Sequence, residues 1–156
     1  MAVTSAGLLP YRRDGDRIEV LLVHPGGPFW SRKDDGAWSI AKGEVQADEA
    51  PLDAAIREFA EETGHVPTGS FEPLAPIKQP SGKLIHAWIT EDDWDAKSLV
   101  SNTFTLEWPR HSGRMQTFPE VDRVEWFEIG VALRKILVGQ RGFLLELCRK
   151  LQPQSD

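Results

Sequence analysis

The segment Pro51 to Gly64, read PLDAAIREFAEETG, leaves this chain few local options. Pro51 suits a first helical position and Gly64 the left-handed position that ends a helix, with about three and a half turns between them. Leu52, Ala55, Ile56 and Phe59 follow the i, i+3, i+4, i+7 pattern and predict a core-facing stripe. Ala50, as N-cap, offers no side-chain acceptor, a loss of about 1 kcal/mol that Asp53 in the first turn partly offsets. Beside the stripe, Glu58, Glu61 and Glu62 fall within about a 100° arc and can converge on one point. Like charges at this spacing repel by about 0.2–0.5 kcal/mol per pair, and anions near a helix C-terminus oppose its dipole by about 0.3–1 kcal/mol each. A bound cation would compensate. Ala54, one turn before Glu58, is expected to leave room for an ion and its ligand. Arg57 can pair with Glu61 one turn on, or with Glu49 from the preceding loop, orienting carboxylates rather than binding substrate.

Gly43, five residues, Glu49, seven residues, then Arg57-Glu58-Phe59-Ala60-Glu61-Glu62-Thr63-Gly64 resembles the Nudix box, with every specified polar and glycine position matched. Seven fixed positions at ordinary residue frequencies coincide in about one random window in 10^8. The departure is His65, where the family usually has an aliphatic residue; Val66 is expected to take over its packing.

The rest of the 156 residues reads as one domain, 1–156, of ordinary globular composition, 40% hydrophobic and 27% charged. A net charge of -6 argues against stable nucleic-acid binding but is compatible with free nucleotides escorted by a divalent cation. The lone Cys148 excludes an internal disulfide and reads as a small buried residue. No apolar run reaches membrane-spanning length, so the expected location is cytoplasmic; the sequence specifies no oligomeric state. Strands are expected over Ala2–Arg12 and Arg17–His24, a hairpin turned at Asp14-Gly15-Asp16. Pro25–Gly36 reads as a loop and Ala37–Ala41 as a short strand entering the box. Phe71–Gln79 and Lys83–Thr90 predict a second hairpin, Thr103–Trp108 and Val124–Ile129 further strands, and Pro109–Pro119 a mobile loop. Val131–Val138 and Gln140–Leu151 carry helical periodicity.

This order agrees with the fold the resemblance implies, an α/β/α sandwich with a mixed central sheet. The resemblance also implies a hydrolase: water attacks phosphorus in the P–O–P bridge of a nucleoside diphosphate linked to another group, assisted by Mg2+ or Mn2+. On that reading Glu58 and Glu62 are the first choices as direct ligands, Glu61 binds through water or accepts the nucleophile's proton, and the Lys42 carbonyl reaches the metal behind the turn at Gly43. Some members recruit a further carboxylate ahead of a late strand, for which Glu120 is the candidate. The run Glu91-Asp92-Asp93 competes weakly and reads as a solvated strand end.

Trp38 to Glu44 resembles the strand entering the box in diadenosine polyphosphate hydrolases, with Ala41 where those often have Pro. The chain as a whole is similar to bacterial MutT-like NTP pyrophosphohydrolases. A small-molecule nucleotide, a dinucleoside polyphosphate or an NTP, is therefore the expected partner. Lys42 is placed to meet phosphate, and Arg32, Lys33, Arg110 and Arg114 lie on loops that can close over a polyphosphate. Trp30, Trp88 and Trp108 are candidates for base stacking, of which Trp30 is favoured by its loop position. His24, His86 and His111 have no metal-ligand spacing. Two alternatives stand beside hydrolysis: a catalytically silent domain that senses a nucleotide, and an interaction domain whose acidic helix is merely solvated.

Overall fold

The computed structural model describes residues 4–152. Strand β1 (Thr4–Asp14) turns at Gly15 into β2 (Arg17–Pro25), and Asp14 pairs with Arg17 in the antiparallel register expected for this hairpin. Ala2 and Val3, the expected start of the first strand, lie outside the described residues. The entry to the box differs from expectation: β3 is Ala41–Glu44, not Ala37–Ala41. Ser39 forms an isolated bridge to Val23, while Trp38 exchanges backbone bonds with Lys135 and Leu137. Alternating partners keep the segment from joining one ladder until it meets β1 at Leu8.

After helix α1 (Pro51–Thr63), two short strands, β4 (Glu72–Pro73) and β5 (Ile77–Lys78), pair antiparallel with β6 (Leu84–Glu91). The expected second hairpin is present, with its first arm interrupted between Leu74 and Pro76. β6 runs parallel to β1 from Thr4–Leu84 to Tyr11–Glu91. β9 (Val121–Glu128) pairs antiparallel with β2, completing a mixed seven-stranded sheet ordered β4-β6-β1-β2-β9, with β3 on β1 and β5 on β6. The expected mobile loop is instead half of a separate hairpin, in which β7 (Thr103–Glu107) pairs with β8 (Met115–Pro119). Its Phe104 and Phe118 sit directly opposite, the cross-strand pairing that stabilises a ribbon. Helices α2 (Ile129–Lys135) and α3 (Arg141–Leu151) end the described chain.

Period-two alternation sorts the sheet's apolar residues into two cores. Leu9, Val20, Leu22, Ile85 and Ile89 face one side, with Ala132, Phe143, Leu144 and Leu147 from α2 and α3. Leu8, Leu21, Val23 and Val124 face the other, against Ala54, Ala55 and Phe59 of α1. The layers are those of an α/β/α sandwich. Ala54 is wholly buried in this second core and so provides helix–sheet contact rather than space for an ion, whereas Leu52 and Ile56 of the expected stripe pack only partly buried. No helix among the described residues is long and apolar enough to cross a membrane.

Candidate active site

α1 begins and ends as its sequence dictates. Ala50 makes no side-chain cap, Pro51 opens the helix, and Gly64 at φ 80° returns its N–H to the Ala60 carbonyl. The next residue departs from expectation. Val66 is 55% exposed and takes over no packing; His65 does so itself, stacked on Trp94 at 5.0 Å, edge-on to Phe59, with Nε2 2.7 Å from Asp92 Oδ2. Asp92 is accordingly no simple solvated strand end, and Asp93 also pairs with Arg12 at 2.9 Å.

Arg57 organises the carboxylates. Its Nε and Nη2 donate to both oxygens of Glu49 at 2.8 and 3.1 Å, Nη1 donates to Glu58 at 3.0 Å and Glu61 at 3.2 Å, and Nη2 also reaches the Glu44 carbonyl. One guanidinium thus fastens the loop after β3 to the acidic face of α1, using the planar fork that suits Arg to carboxylate. These partners raise its pKa further, Glu49 above all, so it stays charged. Among the described residues no three carboxylate or imidazole groups already stand at ligating spacing, because Glu58 and Glu61 turn toward Arg57.

Glu62 is different. It is mostly buried, its Oε2 has no hydrogen-bond partner, and burial followed by the charges of Glu58 and Glu120 pushes its pKa up to about 8. Glu58 is raised as well, chiefly by burial, with Arg57 opposing. Lys42 is lowered by burial and by Lys83, while Glu62 and Glu58 pull it back. Glu62, Glu120, Lys42 and Trp30 line one cleft of about 240 Å³, walled by apolar groups including Val23 and Ile40. Gly43 lies so close to Glu58 that a methyl group at its Cα would overlap the carboxyl. The carboxylate oxygens of Glu62, Glu58 and Glu120, one of them buried without a partner, are of the kind that suits a hard divalent cation.

The approach of Glu120 has a backbone cause. Val100 N–H donates to the Thr63 carbonyl and Asn102 N–H to that of Glu61, satisfying the open end of α1. Asn102 O then accepts from Glu120 N–H, and Ser101 Oγ accepts from Val121 N–H at 3.0 Å. The segment therefore splices the start of β9 onto the acidic end of the helix.

The NUDIX domain family matches residues 1–147. The chain belongs to the Nudix family. Its class is that of hydrolases acting on phosphoric anhydrides. Solved Nudix structures share the fold. The chain is 22% identical to an Ap4A hydrolase from C. elegans in a binary complex, covering 94% of this chain and 96% of that one at a TM-score of 0.64. It is 18% identical to the NUDIX domain of Shewanella oneidensis NrtR complexed with ADP ribose, over 96% and 88% of the two chains at 0.63. A MutT/nudix family protein from Enterococcus faecalis, 20% identical, is covered over only 44% of its length and 82% of this chain at 0.58.

Not every residue expected at the site of this Nudix chain gathers at the cleft. Arg32 and Lys33 line a neighbouring cleft with Trp108, and Arg110 and Arg114 are exposed around the turn of the β7–β8 hairpin. Trp88 packs partly buried against the α1-side core. Cys148 is only partly buried. Supporting residues invisible in the box include Gln140, almost wholly buried, whose Oε1 accepts from Ile40 N–H and whose Nε2 donates to Ser39 Oγ, both at 3.1 Å. His24, fully buried, meets Asp122 Oδ1 and the Lys33 carbonyl, each at 2.7 Å, tying the loop after β2 to β9. A lone polar residue inside an apolar run, as in Val-Leu-Leu-Val-His, was the available signal for His24.

Proposed function

We propose that this chain is a divalent-metal-dependent pyrophosphohydrolase cleaving a P–O–P bridge in a nucleoside diphosphate linked to another group, a dinucleoside polyphosphate or an NTP. The observation that carries the reading is the buried, unpartnered Glu62 carboxylate with Glu58 and Glu120 beside it. Negative charge concentrated away from water is stable as carboxylate only against a cation, and oxygen donors select Mg2+ or Mn2+. Bound there, the ion would neutralise phosphate charge and lower the pKa of a coordinated water.

The remaining roles fall to the chain itself. Glu58 and Glu62 are the direct-ligand candidates, with the Lys42 carbonyl; Glu61 and Glu120 are candidates to bind through water or to take the proton of the attacking water. Arg57 positions Glu58, Glu61 and Glu49. The Lys42 ammonium, disfavoured by burial, gains a counter-charge when phosphate enters the cleft. Trp30 offers a ring to a base, while Arg32 in the neighbouring cleft extends the basic reach toward a phosphate tail. An Ap4A hydrolase and a domain complexed with ADP ribose among the structural neighbours agree with a nucleotide substrate containing a pyrophosphate link.

The test is a panel of diadenosine polyphosphates, canonical and oxidised NTPs, ADP-ribose and sugar nucleotides in Mg2+ and Mn2+, with products identified. Glu58→Gln and Glu62→Gln are expected to lower kcat by about 10^2-fold or more on every accepted substrate. Undiminished turnover by both variants overturns the mechanism. Tight nucleotide binding without turnover across the panel marks a silent sensor. Absence of Mn2+ line broadening around Glu58 and Glu62 marks a solvated interaction domain.

A further inference from the structure

Beside the carboxylate cleft lies a second one, of about 410 Å³, between the loop after β2 and the β7–β8 hairpin. It is lined by Pro28, Phe29, Ser31, Arg32, Lys33 and Trp108. Its charged groups are both cationic, in a chain whose net charge is -6, so it matches an anion rather than the average of the surface. Phe29 is 52% exposed, an unusual state for Phe, and its ring meets Trp108 edge to face at 5.2 Å. Two aromatic rings from separate elements, flanked by Arg and Lys, provide what a nucleoside on a phosphate chain requires: stacking surface for any base and cations for the chain.

One loop borders both clefts. Trp30 lines the carboxylate cleft, and the Lys33 ammonium lies 4.8 Å from the centre of the Trp30 ring while lining the second. Backbone and side-chain bonds hold this loop in place: Lys33 N–H donates to the Trp30 carbonyl, the Lys33 carbonyl meets His24 Nε2, and Gly26 N–H donates to the Glu120 carbonyl. The loop that carries Trp30 and Lys33 between the two clefts is therefore held in place.

We propose that the Phe29–Trp108 cleft is a second nucleoside subsite that makes the chain selective for dinucleoside polyphosphates over NTPs. The inference rests on the pyrophosphohydrolase reading and names its substrate class. One nucleoside sits at the carboxylate cleft, the bridging phosphates pass Lys33 and Arg32, and the distal base stacks at Phe29 and Trp108. An NTP ends in phosphate and leaves the aromatic pair unused.

The deciding quantity is the ratio of kcat/KM for diadenosine tetraphosphate to that for ATP. Trp108→Ala and Phe29→Ala are expected to lower the ratio by about tenfold or more, the loss of one base stack, acting through the KM of the dinucleotide rather than its kcat. Trp108→Phe is expected to restore most of it. Should Trp108→Ala fold poorly, Phe29→Ala, a truncation at a half-exposed loop position, carries the test. An unchanged ratio, or a fall in kcat shared equally by both substrates, overturns the subsite. Binding of methylene-bridged, non-hydrolysable analogues separates this proposal from the catalytic one. Tighter binding of the dinucleotide than of the mononucleotide, abolished by Trp108→Ala, supports the subsite even where no substrate is turned over, whereas equal binding overturns it.

Discussion

Glu62 is an acid whose charged form its surroundings oppose. Its ordinary pKa of 4.5 rises to about 8 in the fold, first through burial and then through Glu58 and Glu120. Between those values the folded metal-free protein keeps a proton that the unfolded chain releases. This contribution to stability is therefore fully present below about pH 4.5 and is lost as pH rises through 8, with a slope of up to about 1.4 kcal/mol per pH unit. Urea unfolding of chelator-treated protein is expected to follow that slope, and Glu62→Gln to flatten it; an equal slope in the variant would refute the assignment. The acidic arc of Glu58, Glu61 and Glu62 was legible from helical spacing alone, whereas the unequal burial that singles out Glu62 was not. His65 makes the same point, since its match to Trp94 and Asp92 depends on residues that the box does not contain.

Among the elements, α1 was the most legible because Pro51, Gly64 and its apolar spacing act within a few turns. Its C-terminus also shows how local geometry meets tertiary need. Gly64 takes a positive φ, and a Cβ there would lie 2.9 Å from the Val100 carbonyl, on the segment that docks the helix end. Gly64→Ala is expected to cost about 1–2 kcal/mol in stability, measured by denaturant midpoint, and to weaken activity through the displaced Val100–Asn102 splice. No loss of stability would deny Gly64 this role. The first arm of the β7–β8 hairpin was expected, but its second arm was missed because Met115–Pro119 is mostly exposed and carries no buried alternation, so its pairing with Thr103–Glu107 supplies the order that periodicity does not announce. The box entry shifted for a related reason: Trp38 bonds to Lys135 and Leu137 around the end of α2, Ser39 to Val23 of β2, and Gln140 satisfies Ile40.

At the scale of the molecule, the mixed sheet with helices on both faces holds the acidic end of α1 against the start of β9, so the site is assembled by the whole sandwich. A cation that binds this assembled site and not the unfolded chain stabilises the fold by mass action, about 2.7 kcal/mol at a hundredfold excess over its Kd. Mg2+ or Mn2+ at pH 8 is expected to raise the Tm of the native chain and to leave that of Glu62→Gln nearly unchanged; equal shifts would place the ion elsewhere. The sequence by itself determined the acidic helix, its limits, the hairpin of β1 and β2 and the family, because each depends on spacing within a short stretch of chain. The tertiary structure decided which carboxylate is buried, how Glu120 reaches it through Asn102, and how Phe29 meets Trp108. Burial and contact between distant segments arise only when the layers close, and no local period encodes them.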